Sequence, residues 1–231
     1  MQHRIIRVWD LPVRLFHWLL AGLVVSSVIS VKIGGNAMVW HGRFGHIIVG
    51  LIVFRIVWGL IGSRTARFAT FVRGPAAIRE YLAGRWAGIG HNPLGALSVL
   101  ALLGLVAFQA GTGLFSHDDV AFSGPMAAMV SASTVSLLSG WHRLMEWYIY
   151  GLVALHVATV VFYGVVKKDR LVGPMITGRK AVPADDARYR ENEGGGAARF
   201  IIALAVAVLA VWATSGVFNP PPPPPPAELG W

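Results

Sequence analysis

The sequence predicts an all-α integral membrane protein, a four-helix bundle followed by a fifth carboxyl-terminal transmembrane helix. Three observations carry this expectation. Of the 231 residues 55% are apolar and only 13% charged, and the mean hydropathy is +0.59, too apolar for a water-soluble domain of this length. The apolar residues gather in five long runs, and Lys and Arg collect in alternate connections between them.

The runs cover 15–31, 44–61, 94–115, 147–166 and 200–218, each near the ~20 residues that cross a bilayer as a helix. None alternates as a strand does. Backbone exposed to hydrocarbon must bond within its own segment, so all five read as helices. The first run is not a cleavable signal peptide, because its apolar core is long and no small-residue cleavage site closes it. Between the second and third runs, 75–87 mixes Arg79, Glu80 and Arg85 with Ile78, Tyr81, Leu82 and Trp86, as in a helix lying in the membrane interface. Residues 1–180 then form the four-helix unit and 181–198 a flexible cytoplasmic linker, charged and glycine-rich over 185–196. The extra span occupies 199–218 and a proline-rich periplasmic tail 219–231. The seven prolines 220–226 make a rod of about 20 Å.

The net charge of +9 lies between the apolar runs, where it reads as a topology signal and not as a nucleic-acid surface. Arg4, Arg7 and Arg14 precede the first run. Arg64, Arg67, Arg73, Arg79 and Arg85 follow the second, and Lys167, Lys168, Arg170, Arg179, Lys180, Arg188, Arg190 and Arg199 follow the fourth. These three segments are expected in the cytoplasm. The first turn, with Lys32 and Arg43, and the loop 116–140, with Asp118 and Asp119 and no Lys or Arg, are expected outside. Asp10, Arg14 and the Trp and Tyr residues near the ends of the runs read as interface anchors.

There is no cysteine, which excludes disulfides, thiolate zinc, iron–sulfur clusters and covalent haem attachment. The eight histidines carry the chemistry. His142 and His156 are fourteen residues apart, about 21 Å of rise and nearly four full turns, so they share one helix face at two membrane depths. His17 starts the first, outward run and matches His156 in depth; His41 starts the second, inward run and matches His142. Two facing pairs, His17/His156 and His41/His142, are what two low-spin haems b require without cysteine, one near each side of the bilayer. Arg55 lies fourteen residues after His41, on its face and at the depth of the inner pair. Intramembrane arginine is costly and a haem propionate is its natural partner. His46 is rotated about 140° from His41 and is not preferred as a ligand. His3, His46, His91 and His117 read as ordinary polar residues. Glycines 45, 50, 104, 111, 113 and 151 read as close helix packing or as room beside the backbone for a flat macrocycle.

The stretches VWDLPVRLFHW at 8–18, FRIVWGLIGSR at 54–64, GHNPLG at 90–95 and GPMITGRK at 173–180 resemble the bacterial cytochrome b561 family, which includes the b-type cytochrome subunits of nickel–iron hydrogenases. The resemblance covers roughly the first 180 residues and implies a diheme four-helix bundle in a bacterial inner membrane. It carries the ligand roles to His17, His41, His142 and His156. It also implies one-electron transfer between the quinone pool and a periplasmic c-type cytochrome or other redox protein. Two alternatives stay open at this point. One is a quinone reductase oxidising superoxide or another small molecule, which an outer funnel of Lys32, Arg43 and Arg143 would favour. The other is an assembly subunit contacting a larger membrane complex through the fifth helix.

Overall fold

The computed structural model describes all residues except 1, 87, 89, 121, 185–190 and 221–231. The proline rod expected at 220–226 therefore lies, apart from Pro220, outside the described residues. Among the described residues four helices are long and apolar enough to cross a membrane: α1 (Leu11–Ile33), α2 (Ala37–Ile61), α5 (Pro93–Gly113) and α6 (Ala132–Val165). The short helices α3 (Phe68–Phe71) and α4 (Pro75–Leu82) lie in the connection between α2 and α5. The interfacial helix expected over 75–87 stops at Leu82, where the backbone turns at Gly84 with φ +73°.

Local chemistry sets the helix starts. Asp10 caps α1, its Oδ1 accepting from the Val13 N–H at 2.9 Å, and Pro12 sits in the first turn. The same carboxylate accepts from Trp58 Nε1 at 3.0 Å, tying the first turn of α1 to the last turn of α2. Asp10 is buried. It is a structural keystone and not the interface anchor expected from its place near the end of a run. Asn92 caps α5 by accepting from Gly95 N–H at 2.7 Å, and Ser131 caps α6.

Two short strands depart from the all-helical expectation. β1 (His3–Arg7) and β2 (Arg179–Pro183) pair antiparallel, with Arg7 opposite Arg179 and His3 opposite Pro183. Before β2, α7 (Val172–Thr177) ends at Gly178 in the left-handed conformation, where any Cβ would press on the Trp9 carbonyl at 2.6 Å. The Gly178 carbonyl accepts from the N–H groups of Val8 and Trp9 at 2.8 and 3.2 Å. These pairings join segments more than 170 residues apart, so no local hairpin signal marks them. Ile6 and Val182 are buried in the core that this sheet shares with Val8, Trp9, Phe54 and Trp58.

The linker expected over 181–198 is in part packed structure. Pro183 and its predecessors belong to β2, and Asn192 is 2% exposed. Its amide donates to Thr65 Oγ1 at 2.7 Å, with Ser63 Oγ and the Val8 carbonyl at 3.2 and 3.3 Å. A Cβ on Gly195 would meet the Trp58 ring at 2.3 Å. Polarity and glycine content mark a segment able to leave the core; here the amide is taken up by buried acceptors that need it.

The last helix, α8 (Ala197–Ala213), has 17 residues. It ends five residues before the expected limit at 218, with Thr214 Oγ1 bonded back to the Ala210 carbonyl at 2.8 Å. Ala203 and Ala207 are buried against α2, and Phe200 packs edge-on against Phe54 and Trp58. The fifth helix, expected to contact a larger membrane complex, thus uses Ala203 and Ala207 inside the chain, while Ile201, Leu204, Val208 and Leu209 remain exposed.

Replacing Asn192 with Ala is expected to destabilise the detergent-solubilised full chain by about 1–3 kcal/mol, because buried acceptors lose their donor. A thermal melt reads the effect, and an unchanged midpoint would mean that the 191–196 segment contributes nothing to the fold.

Candidate functional site

The antiparallel helices bring the four histidines together as two pairs. His17 of α1 faces His156 of α6, with ring centres 6.3 Å apart and planes at 49°. His41 of α2 faces His142 of α6 at 6.1 Å and 87°. α6 therefore contributes one imidazole at each level, fourteen residues apart. It packs closely on α5, whereas α1 and α2 pack on each other. Only three of its 34 residues, Val135, Ser139 and Ile149, are buried. The face of α6 that carries the histidines stands off from α1 and α2.

In the second pair the spare ring nitrogens are engaged. His41 Nδ1 lies 2.9 Å from the Ser27 carbonyl and 3.1 Å from Ser27 Oγ. His142 Nδ1 lies 2.9 Å from the Gln109 carbonyl and 3.3 Å from Thr112 Oγ1. A carbonyl only accepts, so both Nδ1 atoms carry the proton and both Nε2 atoms present a lone pair, the arrangement in which proteins hold metal-ligating imidazoles. Gly113 makes room for this: a Cβ there would stand 2.9 Å from His142 Cε1. A cavity of about 300 Å³ surrounds the pair, lined among others by Val24, Ser27, Gly45, Val106 and Gln109.

A metal–nitrogen bond of about 2.0–2.1 Å puts two imidazoles on opposite sides of one metal with centres about 6 Å apart. Both observed separations meet that requirement. No cluster of three or more potential ligands occurs among the described residues, and a facing pair of imidazoles is a donor set that suits haem iron. At Gly45, Gly104, Gly111 and Gly151 an added Cβ would meet nothing within 4 Å. Of the two readings of these glycines, open space beside the backbone holds for those four, and close packing for Gly50 against Val211 and Gly113 against His142.

Arg55 is 3% exposed and stacks over Phe68 at 4.7 Å, with Nη1 buried and unpartnered. An arginine so placed keeps one nitrogen for a further acceptor, although the Asp10 carboxylate already acts on it through charge. The other histidines separate. His46 Nε2 is engaged by the Val211 carbonyl and Thr214 Oγ1, both at 2.9 Å, which turns it toward α8 and away from the cavity's ligand pair. His117 pairs with Asp119 at 2.7 Å, and His3 lies on β1. His91 departs from its reading as an ordinary interface residue. It is held between Trp9 and Phe71, with ring centres 4.6 and 4.7 Å away. Burial, then the charges of Arg55 and His17, push its pKa down to about 3.

Sequence reasoning passed over Glu146, which lies one turn after His142. It pairs with Lys32 at 2.6 Å and accepts from Tyr150, joining α1 to α6 beside the cavity. A carboxylate immediately before an apolar run was the available signal. Of the three cations of the expected funnel, Lys32 is paired with Glu146, Arg43 rests on Trp40 at 4.8 Å, and Arg143 lines the cavity.

Replacing Gly113 with Val is expected to displace the His142 ring and to lower the haem content, because the ring loses its seat. Replacing His46 with Ala is expected to leave the haem content intact and to loosen only α8. Pyridine haemochrome against protein mass reads both outcomes.

The profile of prokaryotic cytochrome b561 matches residues 8–178. Curated relatives include proteins named probable Ni/Fe-hydrogenase B-type cytochrome subunit. The one from Azotobacter vinelandii is 27% identical over 210 residues, covering 74% of this chain and 86% of its own. The Escherichia coli K12 protein, named as the subunit of hydrogenase 1, is 24% identical over 75% of this chain and 90% of its own. That of Rhodobacter capsulatus is 23% identical over 77% and 82%. No solved structure matches the chain. With the match running from the residue before Trp9 to the glycine that ends α7, across all four long helices, the chain belongs to the prokaryotic cytochrome b561 family.

Proposed function

We propose that the chain is a transmembrane diheme cytochrome b that relays single electrons between the quinone pool and a redox protein on the periplasmic side. The observation that carries this reading is the pair of imidazole pairs, 6.1 and 6.3 Å across, presented by one helix at two levels. His17 and His156 hold the haem near the cytoplasmic side, and His41 and His142 the haem near the periplasm. Haem, when bound, supplies the one-electron couple. The positive-inside count supports an amino terminus and an α2–α5 connection in the cytoplasm. The names of the curated relatives favour a nickel–iron hydrogenase as the periplasmic partner class.

The residues have separable tasks. The carbonyls of Ser27 and Gln109 fix the tautomers of His41 and His142 and keep both Nε2 atoms aimed across the gap. Apolar side chains from α1, α2 and α5 exclude water around the same pair. The backbone openings at Gly45 and Gly104 admit a flat group without strain. Each electron carried across the membrane potential gains or loses about 2.3 kcal/mol per 100 mV, so direction is set by the partners and the potential and not by any proton-transfer residue. α8 covers α2 and leaves its outer face to lipid or a neighbouring subunit.

The purified protein is expected to contain two b-type haems per chain. His142→Ala should remove the haem near the periplasm and His156→Ala the other, each leaving the remaining spectrum in place. Ring planes at 87° and 49° should also give two distinct low-spin ferric paramagnetic resonance signals, each disappearing with its own variant. A fully loaded wild-type protein with a single haem would overturn the reading.

A further inference from the structure

Several polar atoms at the amino-terminal end of the bundle are buried without a partner, among them Nη1 of Arg55, Nδ1 of His91 and Nδ1 of His17. They come from three helix ends that the antiparallel fold brings to one level: the start of α1, the end of α2 and the turn before α5. An aromatic wall connects them. Arg55 lies over Phe68 at 4.7 Å, Phe68 packs on Phe71 at 5.7 Å, and Phe71 on His91 at 4.7 Å. Trp9 closes the far side of His91 at 4.6 Å. With rings on both sides, His91 can bond only through its edge. Arg55 and His17 both lie close enough for their charges to act on it.

A carboxylate is present nearby, but it is already committed. Asp10 interacts with Arg55 through charge, yet its two oxygens take the Val13 N–H and the Trp58 indole N–H. What remains is a buried guanidinium nitrogen and a buried imidazole nitrogen, both able to donate, with His91 within electrostatic reach of both Arg55 and His17. A neutral quinone carbonyl would add no charge to the one that Asp10 already sets against the arginine. A carboxylate meets both requirements.

We propose that Arg55 and His91 form a two-residue clamp on one propionate of the haem held by His17 and His156, Arg55 supplying the charge and His91 a single N–H. This rests on the reading of that pair as a haem site. His91 is then a positioning residue: it does not ligate iron, and it acts by fixing the carboxylate and drawing charge away from the ring.

The test uses the full chain, purified with haem, as wild type, Arg55→Leu, His91→Leu and the double variant, with Arg55→Lys and His91→Asn as conservative companions. Two quantities are read: the midpoint potentials of both haems by spectroelectrochemical titration, and the propionate bands in redox-difference infrared spectra with labelled propionate carbons. Each Leu variant should lower the potential of the haem that His156→Ala removes, since an unclamped propionate favours the oxidised iron. Each should also shift a propionate band and leave the other haem unmoved. The double variant should shift the potential by less than the sum of the singles, and His91→Asn should restore part of the wild-type value. An unmoved potential and band in His91→Leu, or strictly additive shifts, would overturn the clamp. If His91→Leu purifies without that haem, His91→Asn and Arg55→Lys decide: a shifted propionate band supports the clamp, and unshifted bands in both overturn it. Wild-type protein lacking the His17–His156 haem would refute the underlying haem assignment, and the clamp with it, whereas two haems with an unresponsive His91 would refute the clamp alone.

Discussion

Everything else in the molecule is arranged around the distance at which α6 faces α1 and α2. Two imidazole pairs span that gap at about one metal's width, and helices packed directly against each other would leave no room for them. The remaining contacts make the gap tolerable. α1 and α2 hold each other, α5 holds α6, and α8 seals the outer side of α2. Gly45 lines the cavity around the His41–His142 pair, and an added Cβ there would meet nothing within 4 Å. In an apolar medium little favours a void, so the separation is understood as room for a group that supplies the missing contacts.

Polar atoms inside this apolar bundle follow a consistent rule: those that can be satisfied by backbone are, and those left over point where an added group is proposed. His41 and His142 use carbonyls on α1 and α5, so the rings are held by helices other than their own. His46 is similarly consumed by α8. Arg55 and His91 are left unpartnered at the opposite end. Burying a guanidinium with one nitrogen unbonded is costly inside a membrane protein, which is why the site reads as built and not incidental.

The amino-terminal end is stiffened by long-range polar contacts. Asp10 joins α1 to Trp58, the β1–β2 pairing joins the first residues to those after α7, and Asn192 ties the segment before α8 to Val8, Ser63 and Thr65. Tyr163 of α6 meets Asn92 at 3.0 Å and also Tyr81, so α4, α5 and α6 share a further junction. The four motifs that carry the family resemblance map onto these contacts: Trp9 and Asp10, Trp58, Asn92 and Gly178 each seat a helix end.

Much of this was legible in the residue order. Hydropathy alone locates the four long helices, because a segment in lipid must satisfy its backbone internally, although α2 begins at Ala37 and α6 at Ala132, seven and fifteen residues before their apolar runs. The 3.6-residue period and 1.5 Å rise suffice to put His142 and His156 on one face at two depths and to match each with the first or second helix. What the order of residues left undetermined were features that depend on partners distant in the chain. Asp10 looks like an interface residue until Trp58 arrives to bond it, and His91 looks ordinary until Trp9 and Phe71 close around it. Residues 191–196 look like linker because polarity and glycine report what a segment can do without a core, not whether acceptors elsewhere will claim its amide. The strands β1 and β2 lie at opposite ends of the four-helix unit, and only the closed bundle brings their edges together, since a pairing with no turn between its halves has no local signature.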